Sequence, residues 1–189
     1  MKSVLISIQP KWVDKIASGE KTIEVRKSRP KLETPFKCYI YETTAKYKTR
    51  LFGLNCTCQG KGKVIGEFVC DRIDNKHLDD LIVKEDCERA LQGTCLTKQD
   101  ILAYLSYTRG TDIRQNYKMW CFYGWHISDL KIYDKPKELS EFRKPFFLDN
   151  RPMKDWCHNH CEICDEENCK YDLRNKRPPQ SWCYVDTGE

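Results

Sequence analysis

The hydrophobic pattern of the first twenty residues predicts a strand followed by a short helix. Ser3–Ile8 is largely apolar and leads through Gln9 into Pro10, a residue that the first turn of a helix tolerates. Val13 and Ile16 then recur at helical spacing, and Gly19 stands where such a helix ends. We therefore expect β-strand, helix and a glycine stop in this order.

After Gly19 apolar residues recur at every second position, which predicts a short strand. Ile23 and Val25 fall on one face, and the other face carries Thr22, Glu24 and Arg26. Basic residues crowd this stretch, because Lys21 precedes the strand and Lys27, Arg29 and Lys31 follow it. One interpretation is a solvated strand with an ion pair across one face. The other is a binding or catalytic site.

The remaining pattern predicts a mixed α+β fold. Thr97 and Asp100 have capping-box spacing at the start of one helix. The predicted elements are a strand at Lys37–Thr43, a long polar loop at 44–62, a strand at Lys63–Ile73, a helix at His77–Gln92, a helix from Thr97, and a strand at Tyr117–Tyr133.

Composition narrows the class of protein. The chain has 189 residues, enough for one sizeable core with an appendage, and its net charge of +5 permits nucleic-acid contact without requiring it. No apolar run is long enough to span a bilayer, and no signal-peptide core is present, so we expect a cytoplasmic protein. Twelve cysteines then indicate reduced thiols, some of them holding metal, rather than disulfides.

Four segments resemble the ASCH domain, a branch of the PUA-like superfamily. Gly19, Lys21, Glu24 and Arg26 reproduce its G-x-K-x-x-E-x-R signature directly after a short helix. Val4–Pro10 resembles its first strand and helix entry, Val64–Phe68 its central strand, and Tyr123–Ile127 the closing strand of phage- and prophage-type members. The resemblance covers roughly residues 1–135.

The resemblance implies a PUA-like β-barrel with two or three flanking helices and a cleft for a base, a nucleoside or RNA. Within that cleft we expect Trp125 to stack on a base and Glu24 to sense it. Side chains that donate to carbonyls or phosphates complete the predicted ligand-binding set, namely Lys21, Arg26, Lys27 and Arg29.

An enzyme is the main alternative. A related bacterial amidohydrolase of N4-acetylcytidine resembles this chain around Lys21, but Glu24 stands where that branch has a threonine. If the protein is an enzyme, either an amidohydrolase of an acylated nucleoside or a ribonuclease, we expect Lys21, Glu24 and His126 to be catalytic. In a third class, the protein acts on another protein in phage–host conflict.

The C-terminal part differs in composition from the rest, so we divide the chain into a barrel domain at 1–144 and a Cys-rich extension at 145–189 that packs on it. Thiolates are preferred zinc ligands, and the extension holds four of them within thirteen residues. The alternative is free thiols on a loop, and a histidine, Cys183, Cys56 or Cys58 could substitute as a ligand. The predicted structural zinc ligands are Cys157, Cys161, Cys164 and Cys169.

Overall fold

The computed structural model describes residues 2–51, 54–81, 84–106, 121–143 and 177–186. These residues form an α+β fold of eight strands, three α-helices and two short 3₁₀ helices. The 3₁₀ helices are Leu78–Leu81 and Leu139–Glu141. The other elements are β1 (Lys2–Ile8), α1 (Pro10–Ala17), β2 (Ile23–Arg26), β3 (Phe36–Glu42), β4 (Lys46–Leu51), β5 (Leu54–Gln59), β6 (Val64–His77), α2 (Lys84–Leu91), α3 (Lys98–Ser106), β7 (Cys121–Lys137) and β8 (Trp182–Asp186).

Six strands form one sheet in the order β2-β7-β6-β3-β1-β8, in which only β1 and β3 are parallel. Within the described residues, β2 and β8 are the two edges and do not pair with each other, so the predicted closed barrel is wrong. β2 has only four residues, and the chain turns away toward Pro30, which leaves little strand to pair with β8.

The sheet is nevertheless curled enough for side chains to bridge its two edges. The Trp182 Nε1 of β8 donates to the Ser28 Oγ just after β2 at 3.1 Å. The Lys31 amide donates to the Tyr184 hydroxyl at 2.7 Å. The end of the predicted extension therefore supplies the last strand of the main sheet.

The sheet buries apolar side chains on both faces. We call the face that packs on α1 the inner face; it contributes Ile6 of β1 and Phe68 of β6 to a core with Val13 and Ile16 of the helix. The outer face contributes residues such as Val25 to a second core with α2 and α3. Alternation along each strand divides the residues between these cores.

Several local predictions are confirmed. α1 begins at Pro10 and ends at Ala17, and Gly19 follows with a φ of +79°, a conformation that glycine adopts without steric cost. Thr97 caps α3, because its Oγ1 accepts from the Asp100 amide at 3.1 Å while Asp100 accepts from the Thr97 amide at 2.8 Å.

Besides the closed barrel, two predictions are wrong. The segment at 44–62 is not a loop, because β4 and β5 pair as a separate two-stranded sheet with Lys46 opposite Gln59. Tyr and Thr alternating with basic residues gave this hairpin a strand pattern that its polarity obscured. The helix predicted at His77–Gln92 is shorter, because β6 continues to His77 and α2 begins only at Lys84.

Among the described residues, no helix has the length and the apolar character needed to cross a bilayer.

Candidate functional site

β2 places its charged and apolar side chains on opposite faces, as its sequence predicted. Glu24 lies opposite Trp125 of β7, and Ile23 lies opposite His126. Cross-strand partners in an antiparallel pair point to the same face. Glu24 and Trp125 therefore point to the inner face, whereas Ile23 and His126 point to the outer one.

On the inner side, Lys21, Glu24 and Arg26 form a buried charge cluster. Their exposed fractions are only 2%, 6% and 8%. The carboxylate of Glu24 lies between the two cations, 3.4 Å from the Lys21 Nζ and 3.0 Å from the Arg26 Nη2. Charges so far from water require partners, and the cluster provides them internally.

Backbone carbonyls from three parts of the chain hold the cations of this cluster. The Lys21 Nζ donates to the carbonyls of Ile23 at 2.8 Å and Thr94 at 2.6 Å. The Arg26 Nη2 donates to the Ser7 carbonyl of β1 at 2.6 Å. The cluster thus ties β2 to β1 and to the segment after α2.

Trp125 does not line an open cleft, where we expected it, because its exposed fraction is 0%. Its ring packs edge-on against Phe36 at 5.9 Å and tilted against Trp182, also at 5.9 Å between centroids. Its Nε1 has no hydrogen-bond partner. Periodicity places a tryptophan on a face but does not show whether another segment covers it, and here the core covers it.

The predicted phosphate ligands after β2 differ in their exposure. The Lys27 Nζ lies 4.8 Å from the centroid of the Tyr104 ring, and partial burial lowers the pKa of Lys27. Arg29 is exposed on the loop that Tyr184 and Trp182 fix to the sheet. Arg29 is therefore the more accessible of the two.

The outer face carries an open cleft of about 400 Å³ between β2, β6, β7 and the end of α2, and we call it the outer cleft. His126 was predicted as a site residue, but the charged residues around it were not. The polar lining of the outer cleft includes Thr22, Arg72, Asp74, Lys76, Arg89 and His126. The cleft residues of β6 have a sequence signal, because charged residues occupy every second position at 72, 74 and 76. Alternation along a strand places these three side chains on one face.

Asp74 organises the cleft. Its Oδ2 lies 2.8 Å from the His126 Nε2 and 3.7 Å from the Lys76 Nζ, and its Oδ1 lies 3.2 Å from the Arg72 Nε. Burial opposes ionisation of this carboxyl, but the hydrogen bond from His126 and the nearby cations outweigh it and lower the pKa of Asp74. Asp74 is therefore an anion that holds a histidine and two cations around itself.

Gly93 joins the cleft to the motif strand. Its carbonyl accepts from the amides of Thr22 at 2.8 Å and Ile23 at 3.0 Å. Its φ is +74°, and a Cβ there would lie 2.4 Å from the Thr22 Oγ1. The Lys21 Nζ donates to the carbonyl of Ile23 and to the carbonyl of Thr94, the residue after Gly93. The buried charge cluster therefore supports this wall of the cleft from the inner side of the sheet.

The structure does not bring together the three predicted catalytic residues. Lys21 and Glu24 contact each other inside the fold, whereas His126 lies on the opposite face of the sheet in the outer cleft. A one-residue difference in position along paired strands is enough to separate them.

The predicted zinc ligands Cys157, Cys161, Cys164 and Cys169 lie outside the described residues. Within the residues that are described, no three histidine, cysteine or acidic side chains are grouped so as to hold a metal ion.

An α+β fold in which the Lys, Glu and Arg of a Gly-x-Lys-x-x-Glu-x-Arg motif are buried at β2 defines this protein as an ASCH-type, PUA-like domain, a class that generally binds RNA. The ASCH domain model matches residues 6–145, and the chain belongs to the ASCH domain family.

Two crystal structures of mutants of the Zymomonas mobilis ASCH protein have the same fold. One is 19% identical, with a TM-score of 0.52 over 98% of this chain and 91% of that one. The other is 18% identical, with a TM-score of 0.52 over 97% and 88%. No curated protein sequence matches the chain.

Proposed function

We propose that this protein binds RNA, with the sugar-phosphate backbone lying in the outer cleft. The supporting observation is the charge of that cleft, where the cations of Arg72, Lys76 and Arg89 outnumber the carboxylates of Asp74 and Asp86 by one around an opening of about 400 Å³ beside the motif strand. Cationic side chains that line an opening attract the phosphates of nucleic acid.

Exposure of the two arginines supports this role. The side chains of Arg72 and Arg89 are 66% and 77% exposed, so they can reach a ligand without a change of fold. Arg29, on the loop after β2, is also exposed but does not line the outer cleft. Buried Lys21 and Arg26 already bind Glu24 and backbone carbonyls, so we assign them to shaping the site.

Binding to a single-stranded RNA oligonucleotide over a range of salt tests this proposal. We expect the affinity to fall steeply with salt, and Arg89→Ala to weaken binding about threefold to tenfold while flattening the salt slope by about 0.7. Arg143→Ala, which removes an exposed arginine elsewhere, is the matched control. Equal losses for both variants, or no salt-dependent binding, would contradict the proposal.

The second candidate is an enzyme acting on the same ligand class, and the pair of His126 and Asp74 favours it. A histidine oriented by a carboxylate can move a proton in an acylated nucleoside or in the RNA backbone. Incubation with N4-acetylcytidine and with RNA tests this candidate. Product that disappears in His126→Gln but not in His77→Gln supports an enzyme, and intact substrates refute it.

A third outcome is a protein-interaction module of the phage–host type. That class would be favoured if the protein bound no RNA and an affinity column carrying it retained a defined protein partner.

We also propose that Cys157, Cys161, Cys164 and Cys169 hold a structural zinc ion. Four thiolates within thirteen residues match the ligand preference of zinc. No disulfide links any two of the described cysteines, which supports a reducing, cytoplasmic location in which such thiolates are available. We expect one zinc per chain by elemental analysis, reduced in a Cys161→Ser/Cys164→Ser variant. Absence of zinc from the purified native protein would refute the site.

A further inference from the structure

The outer cleft holds a histidine among fixed charges, an arrangement that favours one class of anion. We propose that the cleft binds a phosphate monoester dianion and that His126 takes up a proton as the dianion binds. Such a group is the terminal phosphate of an RNA chain or the phosphate of a free nucleotide. That the phosphate belongs to an RNA chain rests on the proposed function, whereas binding of a phosphate group as such does not.

The position of Asp74 determines which nitrogen of His126 can gain the proton. The His126 Nε2 lies 2.8 Å from the Asp74 Oδ2, and a carboxylate only accepts, so this nitrogen carries a hydrogen. The Nδ1 is then the nitrogen that is bare in the neutral ring. The Arg72 Nη2 lies 3.0 Å from Nε2 and 3.4 Å from Nδ1, so one cation lies close to both ring nitrogens.

The charges around His126 nearly balance. Three cations and one carboxylate line the cleft, and Asp86 pairs with Arg89 at 3.3 Å, so one net positive charge remains while the imidazole is neutral. The start of β2 and the residue before it contribute only the uncharged Ile23 and Thr22. The Cys70 thiol behind the histidine backbone stays neutral, since burial raises the pKa of Cys70 to about 12.

This balance distinguishes two kinds of phosphate. A diester carries one negative charge, which the cleft neutralises without a further proton. A monoester carries nearly two at neutral pH, and protonation of His126 supplies the second positive charge. The volume of about 400 Å³ is in the range of pockets that take small molecules.

Histidine NMR titration of the full-length protein tests the site without RNA. We expect the midpoint of the His126 ring titration to move up by about half a pH unit or more in inorganic phosphate, compared with chloride at equal ionic strength. His77, at the far end of β6, is the internal control and should not move. An unchanged His126 midpoint overturns the proposal.

Oligonucleotides that differ only in their 5′ end test the RNA source. We expect 5′-phosphorylated RNA to bind about fivefold more tightly than 5′-hydroxyl RNA at pH 6.5, and this preference to shrink toward unity at pH 8.5, because uptake of a proton on binding is less favourable at higher pH. His126→Gln should lose the preference at both pH values, and His77→Gln should retain it. A preference that is equal at both pH values in the native protein overturns the role of His126.

The results separate this inference from the proposed function. If RNA binds with strong salt dependence but phosphate does not move the His126 titration, RNA binding stands and the monoester site falls. If no RNA binds but phosphate and a nucleoside monophosphate both move the titration, the site stands with a free nucleotide as its ligand.

Discussion

Removing the charge of Glu24 should destabilise the protein more than removing any exposed carboxylate. Glu24→Gln keeps the shape of the side chain but leaves the cations of Lys21 and Arg26 without their counter-charge, in a site less than one-tenth exposed. The two partner atoms lie 3.4 Å and 3.0 Å from the carboxylate. The cluster therefore loses two close attractions at once.

The magnitude follows from these distances. At an effective dielectric constant of about 20, each attraction is worth about 5 kcal/mol before desolvation, which offsets much of it. Breaking a buried pair from one side costs about 3–5 kcal/mol, because an uncompensated charge remains inside. For a chain of this size the melting temperature should fall by roughly 10 °C.

Urea unfolding at pH 7, followed by circular dichroism, measures the loss. The matched control is Glu20→Gln, because Glu20 pairs with Lys15 at 2.7 Å on the exposed surface, and we expect a change within experimental error. A double-mutant cycle with Arg26→Gln should show a coupling energy of about 1–3 kcal/mol. A Glu24→Gln loss below about 1 kcal/mol, or additive single variants, would refute the argument that the cluster is held by buried charge.

Further predictions concern the cleft wall and a helix cap. Gly93→Ala should lower the free energy of unfolding by about 2–3 kcal/mol, because the residue has a positive φ and its Cβ would clash with Thr22. Gly19→Ala, where a Cβ meets nothing within 4 Å, should cost only about 1 kcal/mol in the same urea unfolding experiment. Thr97→Ala should cost about 1 kcal/mol by removing the cap of α3. Hydrogen bonds from Thr97 lower the pKa of Asp100 below 3.8. The difference in unfolding free energy between the native protein and Thr97→Ala should therefore persist above pH 3.8 and shrink as the pH falls through the lowered pKa. A loss for Gly93→Ala no larger than for Gly19→Ala, or a Thr97→Ala difference that grows in acid, would contradict these expectations.

The sequence by itself determined the local structure around the motif and the family. The limits of α1, the glycine after it, the cap of α3 and the two faces of β2 all follow from backbone geometry that repeats every 3.6 or two residues. The spacing of Gly19, Lys21, Glu24 and Arg26 carried the ASCH resemblance, and that family is confirmed.

Only the tertiary structure decided which faces are covered and which residues meet. The outer cleft combines β2, β6, β7 and the end of α2, segments separated by tens of residues, and no local pattern predicts their meeting. Trp125 and His126 are neighbours in sequence, yet one lies in the core and the other lines the cleft. Alternation separates the two side chains, but the packing of distant segments against each face decides which one a ligand can reach.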